Sequence, residues 1–166
     1  MTQSMPHDSA ASWQRPDGMS LVEWMSSRLA FRDERHADWQ TFAHQAQKQP
    51  EHARAQIRYI APGKQPGTVA PGNFVLLNVV LPPGHCSPSH RHEDAEEVFF
   101  ILQGQVKIVV RSGDETFEQV LGPWDLLSVP PGLYRQEINV GTDDAVMCVV
   151  LGTHHPLPPL MQNSEA

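Results

Sequence analysis

Apolar residues change their spacing partway along the chain: they are sparse and helically spaced in the first third, then gather from residue 57 into short runs bounded by Pro and Gly. Residues 1–19 are polar, with Pro6, Pro16 and Gly18, and carry a single large apolar side chain, Trp13. A flexible arm that can dock on a partner subunit through Trp13 is expected there. Ser20-Leu21-Val22-Glu23 has the spacing of a capping box, and Leu21, Met25 and Leu29 recur every four residues, which predicts a short amphipathic helix. Trp39, Phe42, Ala43 and Ala46 keep the i, i+3, i+4, i+7 rule and predict a second helix that ends before Pro50. Residues 20–56 are therefore read as a helical extension.

The remainder reads as strand. Runs at 57–63, 74–84, 97–104, 106–114, 117–123, 125–132 and 145–152 are rich in β-branched and aromatic residues, and about eight strands fit between 57 and 152. Ser112-Gly113-Asp114 reads as a hairpin turn, and the Pro-Pro-Gly sequences at 82–84 and 130–132 read as strand-ending corners. Several runs are apolar at both alternating positions, so one face lines the interior and the other needs cover from the N-terminal helices or a second subunit. The body is expected over 57–155, followed by a proline-rich, irregular tail over 156–166.

Composition narrows the function. A length of 166 residues suits one domain, and 40% hydrophobic with 19% charged residues is an ordinary globular balance. The formal charge of -7 leaves no basic stripe for phosphates, so nucleic acid is not an expected partner. No apolar run approaches the ~18 residues that a membrane helix needs, and the first residues lack the basic start and apolar core of a secretion signal. A cytoplasmic protein with no membrane partner is expected, with Cys86 and Cys148 as free thiols.

Candidate chemistry lies between Gly84 and Gly104. His90 and His92 are two apart, so on a strand both imidazoles share a face, and Glu97 opens the next strand after a short turn. Glu97, Phe99 and Ile101 then share an inward row, which sets a carboxylate at the end of apolar neighbours, where it needs a cation or hydrogen-bond donors. Two imidazoles and one carboxylate can hold a divalent ion with positions left open, as in non-haem iron oxygenases. Phe99 and Ile101 would supply an apolar wall for a small-molecule substrate. Glu137 shares a strand face with Arg135 and is expected either to orient it or to form a surface ion pair with it.

Gly84, His90, His92, Glu97 and Gly104 match Gly-x5-His-x-His-x4-Glu-x6-Gly, and on these residues the chain resembles the cupin superfamily in its first motif. The resemblance implies an all-β jelly-roll barrel carrying the N-terminal helical extension, with one divalent metal ion per chain, iron or manganese ahead of nickel or zinc. It also implies a homodimer, for which the doubly apolar strands speak as well.

The second cupin motif departs from the family pattern. Aligned on Pro130 and Gly132, it keeps Asn139, has Trp124 where glycine is usual, and has Arg135 where the family has a ligand histidine. Arginine cannot coordinate a metal. Two arrangements follow: His90, His92 and Glu97 hold the ion while Arg135 grips an anionic substrate group, or Arg135 turns onto Glu97 and displaces the metal. His154 and His155 are further candidates for the missing ligand. The first arrangement implies a mononuclear dioxygenase, or an isomerase or lyase, acting on a small anionic or aromatic metabolite; the second implies a non-catalytic binding or sensing protein.

Overall fold

Strict alternation of apolar residues gives each strand one buried row, and two such sheets close over a shared interior. The computed structural model describes residues 14–63 and 65–162, so the expected docking role of Trp13 lies outside the described residues. The strands are β1 (Ala55–Ile60), β2 (Val75–Leu81), β3 (His90–Arg91), β4 (Glu97–Gln103), β5 (Val106–Ser112), β6 (Glu115–Leu121), β7 (Leu126–Val129), β8 (Tyr134–Asn139), β9 (Ala145–Leu151) and β10 (Leu160–Met161). They form two five-stranded sheets, ordered β1-β2-β9-β4-β7 and β10-β3-β8-β5-β6. The pairings are antiparallel, so the all-β barrel expected from the sequence is what the chain forms.

In β2 and β9 every second residue is buried, and Val75, Leu77, Val79 and Leu81 face the interior with Ala145, Met147, Val149 and Leu151. Each large aliphatic or aromatic side chain taken from water in this way contributes about 1.5–3 kcal/mol. Ser112 and Glu115 pair across a two-residue turn, with Gly113 at φ 56 in its first position, which is the hairpin the sequence predicts. Gly104 combines φ 80 with close packing: a Cβ there would meet Ala145 Cα at 2.9 Å, so any side chain would force β4 and β9 apart. Asn139 ties the far corner, its Nδ2 donating to Leu81 O (2.7 Å) and Asp143 O (2.8 Å).

The helical extension is slighter than periodicity predicts. The capping box forms, Glu23 N donating to Ser20 Oγ (3.2 Å) and Ser20 N to Glu23 Oε2 (2.8 Å), but helix α1 runs only over Leu21–Ser26. Leu21, Met25 and Leu29 stay exposed, so no tertiary packing prolongs it. The second helix, α2, is a single turn, Ala43–Ala46. Asp38 accounts for the loss: its Oδ1 accepts from Gln40 N (2.8 Å), and its backbone bridges Gln56 in β1 (2.8 and 3.0 Å). The side chain thus competes with the helix while β1 holds the segment flat.

The C-terminal tail also differs from expectation. Leu160 and Met161 pair with Arg91 and His90 as β10, and Leu157 N donates to Asp94 Oδ2 (3.0 Å), so a segment expected to be irregular straps the barrel mouth. Its order comes from partners some 70 residues earlier, which local pattern does not show. Trp124 takes φ 75, a left-handed conformation that glycine adopts freely and tryptophan at a cost of roughly 1–2 kcal/mol, which explains the glycine usual at this position. Among the described residues no helix is long and apolar enough to cross a membrane.

Candidate metal centre

Three elements meet at one end of the barrel. Strand β3 begins at His90, and the alternation that points His90 inward repeats at His92, while Arg91 turns outward. Glu97 is the first residue of β4, in register with Val129 and Leu151, and its carboxylate ends the inward row that continues through Phe99 and Ile101. Arg135 lies opposite His90 in the β3–β8 pairing.

His90, His92 and Glu97 are all buried, and one potential ligand atom from each lies within 4.8 Å of the others. Glu97 Oε2 stands 3.9 Å from both His90 Nε2 and His92 Nε2, too far for a hydrogen bond. Ligand atoms that share a first-row ion at ~2.1 Å are roughly 3.0–3.4 Å apart, so a small inward shift of the side chains closes the set. The His90 Nδ1 contact to Pro88 O, 2.9 Å, is that of an N–H donor and leaves the Nε2 lone pair on the Glu97 side. Burial, followed by the charges of Arg135 and His90, pulls His92 down to about 4, so it is a neutral imidazole at neutral pH. The donor set therefore fits a divalent ion in its chemistry, with the tautomer fixed at His90.

Arg135 is fully buried at 0% exposure. Its Nε donates to Glu97 Oε2 at 2.8 Å and its Nη1 to Leu133 O at 2.8 Å. It is not among the residues that line the cavity described below. Burial still pushes the Glu97 carboxyl up from its ordinary value, with Glu137 adding to the effect and His90 and Arg135 opposing it. A carboxylate oxygen that accepts one hydrogen bond keeps a further lone pair.

The site opens into a cavity of about 420 Å³. Leu77, Val79, Phe99, Met147 and Val149 form its apolar wall, and the strap residues Pro156–Pro159 and Met161 line its rim. Phe99 stands where the sequence set it, whereas Ile101 is buried deeper in the barrel and does not reach the cavity. His154 and His155 are exposed and lie outside it. Glu137, expected to orient Arg135 or to pair with it at the surface, does neither: it is 5% exposed, lines the cavity, and its Oε1 has no hydrogen-bond partner. Trp124, 77% exposed, is likewise no part of the cavity wall.

Sequence reasoning missed Arg54. It stands just before β1, 6% exposed, lines the cavity, and stacks over Phe42 with its guanidinium carbon 3.6 Å from the ring centroid. Burial draws it down to about 10, so it keeps its charge at neutral pH. An arginine between Ala53 and Ala55 at the threshold of a strand is the one local hint of it.

Residues 77–151 match the family model for the cupin domain. Among curated relatives, a germin-like protein of subfamily 1 (member 7) from Arabidopsis thaliana is 31% identical over 85 residues, covering 49% of this chain and 37% of the relative. Oxalate oxidase 1 from Hordeum vulgare is 29% identical over 96 residues, covering 55% of this chain and 47% of the relative. The chain thus spans less than half the length of either. A solved oxalate oxidase structure superimposes with a TM-score of 0.58 at 22% identity, covering 67% of this chain and 56% of that one. Two antiparallel sheets closing on an interior, the family match and the shared fold lead to one assignment: residues 77–151 form a cupin domain.

Proposed function

We propose that the chain is a metal-dependent oxidoreductase, a mononuclear non-haem dioxygenase that acts on a small carboxylate-bearing metabolite. The observation that carries this reading is the convergence of His90 Nε2, His92 Nε2 and Glu97 Oε2 at the head of an apolar cavity. These three residues would hold one ion, iron or manganese, which supplies Lewis acidity and one-electron chemistry when bound. The chain does the rest. Pro88 O fixes the His90 tautomer, Arg135 holds the Glu97 carboxylate in place, and the wall with its C-terminal strap gives the reacting end apolar surroundings. Arg135 is thus a positioning residue rather than a substrate clamp. Relatives named oxalate oxidase act on a small organic acid, which favours that substrate class here.

The test is oxygen uptake by protein loaded anaerobically with Fe(II) and offered a panel of keto, hydroxy, amino and aromatic acids. Uptake matched by substrate loss, and absent in Glu97→Gln, is expected. Protein that takes up no ion yet binds acids supports the second reading, a metal-free, non-catalytic binding protein, which the 2.8 Å Arg135–Glu97 contact favours.

The same reading includes a homodimer. The outward side of the β1-β2-β9-β4-β7 sheet leaves Trp124 77% and Leu126 57% exposed, with Trp124 edge-on to Phe100 at 5.8 Å between centroids. A second copy would cover this face through the same residues on both chains. Light scattering is expected to give twice the mass of one chain, and one chain's mass after Trp124→Glu with Leu126→Glu. A monomeric unsubstituted protein contradicts the pairing.

A further inference from the structure

Two buried charges in the cavity have no part in holding an ion. A guanidinium has five N–H donors, and the side-chain hydrogen bond found for Arg54 among the described residues, Nη1 to His52 O at 2.9 Å, takes one of them. Phe42 covers one flat face of the group, which leaves its edge for an acceptor. Glu137 is anchored by its backbone, whose N–H donates to Ser87 Oγ at 3.1 Å, while its buried Oε1 has no partner. Arg54 and Glu137 lie within electrostatic reach of each other, yet they form no ion pair among the described residues. A buried cation and a buried anion, both incompletely met and both facing one apolar cavity, are costly unless something bridges them.

We infer that Arg54 and Glu137 form the recognition end of this cavity and that its ligand is an amino acid with an apolar side chain. The ligand carboxylate takes the open edge of Arg54, its ammonium takes the Glu137 carboxylate, and its side chain lies against Leu77, Phe99 and Val149. Charge complementarity decides the class. A simple carboxylic acid would leave Glu137 unmet and an amine would leave Arg54 unmet, whereas a zwitterion satisfies both. The assignment rests on the reading of this cavity as the substrate site and names what that site takes.

Calorimetric titration with three near-isosteric probes, L-phenylalanine, 3-phenylpropanoate and phenethylamine, tests it. A second series of leucine, 4-methylpentanoate and isopentylamine offers a smaller body. Each is run on metal-loaded and on metal-free protein, with metal content measured separately. In at least one series the amino acid should bind about 10- to 100-fold more tightly than either truncated probe, because a site built around polar groups rejects the analogue that leaves one unpaired. Arg54→Gln should erase the advantage over the amine, and Glu137→Gln the advantage over the acid. If Arg54→Gln does not fold, the probe series on the unsubstituted protein decides alone. Equal affinities within each series, tightest binding of a truncated probe, or no binding in either series overturns the inference. Zwitterion preference in protein that takes up no metal upholds it and sinks the metalloenzyme reading alone; metal uptake without that preference does the reverse.

Discussion

Replacing Arg135 with alanine is expected to remove about 3–5 kcal/mol of folding stability, read as a lower midpoint in urea denaturation. The magnitude follows from what the substitution strands. Glu97 sits at the end of an apolar row and meets the guanidinium at 2.8 Å, and Leu133 O loses the donor that fixed it. Taking the arginine away leaves a buried carboxylate without its cation and an empty volume behind it. Removing both charges is a different matter. Arg135→Met with Glu97→Gln should recover much of the loss, since a buried pair contributes little net stability over uncharged groups of similar size. An Arg135→Ala protein as stable as the parent would mean that the pair is not closed in solution. The substitution should also weaken metal binding by about 10- to 100-fold, the usual effect of losing a group that orients a ligand.

The second large effect concerns the ion. Exchanging His90 and His92 for alanine removes two of the three donor atoms and should abolish stoichiometric metal binding, leaving Glu97 as one carboxylate already paired with Arg135. The fold should survive, because the barrel core of Leu81, Phe99, Ile108 and Met147 lies outside the exchanged side chains. Far-UV circular dichroism unchanged beside the loss of metal is the expected combination. Metal retained at full stoichiometry in the double variant would place the ion elsewhere.

The sequence reveals what depends on short-range periodicity. Period-two alternation gives the buried rows of β2, β4 and β9, and the same alternation, with a turn between, brings His90, His92 and Glu97 together. Gly113 likewise reads as a turn because its conformation is a local need. Other features are set by distant partners. The strap forms because Leu160 and Met161 find β3, and nothing in a proline-rich run foretells that pairing. Arg135 leaves two arrangements open in the sequence, and its contacts to Leu133 O and Glu97 are set by strands that local pattern does not pair. Arg54 sits in a stretch that reads as helical, and it becomes part of the site only when Phe42 comes to lie beneath it. The helices shorten for the converse reason: the periodic face of α1 finds no core to pack on, and ahead of α2 Asp38 binds β1 instead.

Elemental analysis of protein purified without an affinity tag or chelator and loaded anaerobically with Fe(II), run beside the His90→Ala, His92→Ala double variant, is the most direct test of a metal centre built on His90, His92 and Glu97. About one ion per chain is expected, lost in the variant. No metal in the parent protein would contradict it and leave Arg135 as the lasting partner of Glu97.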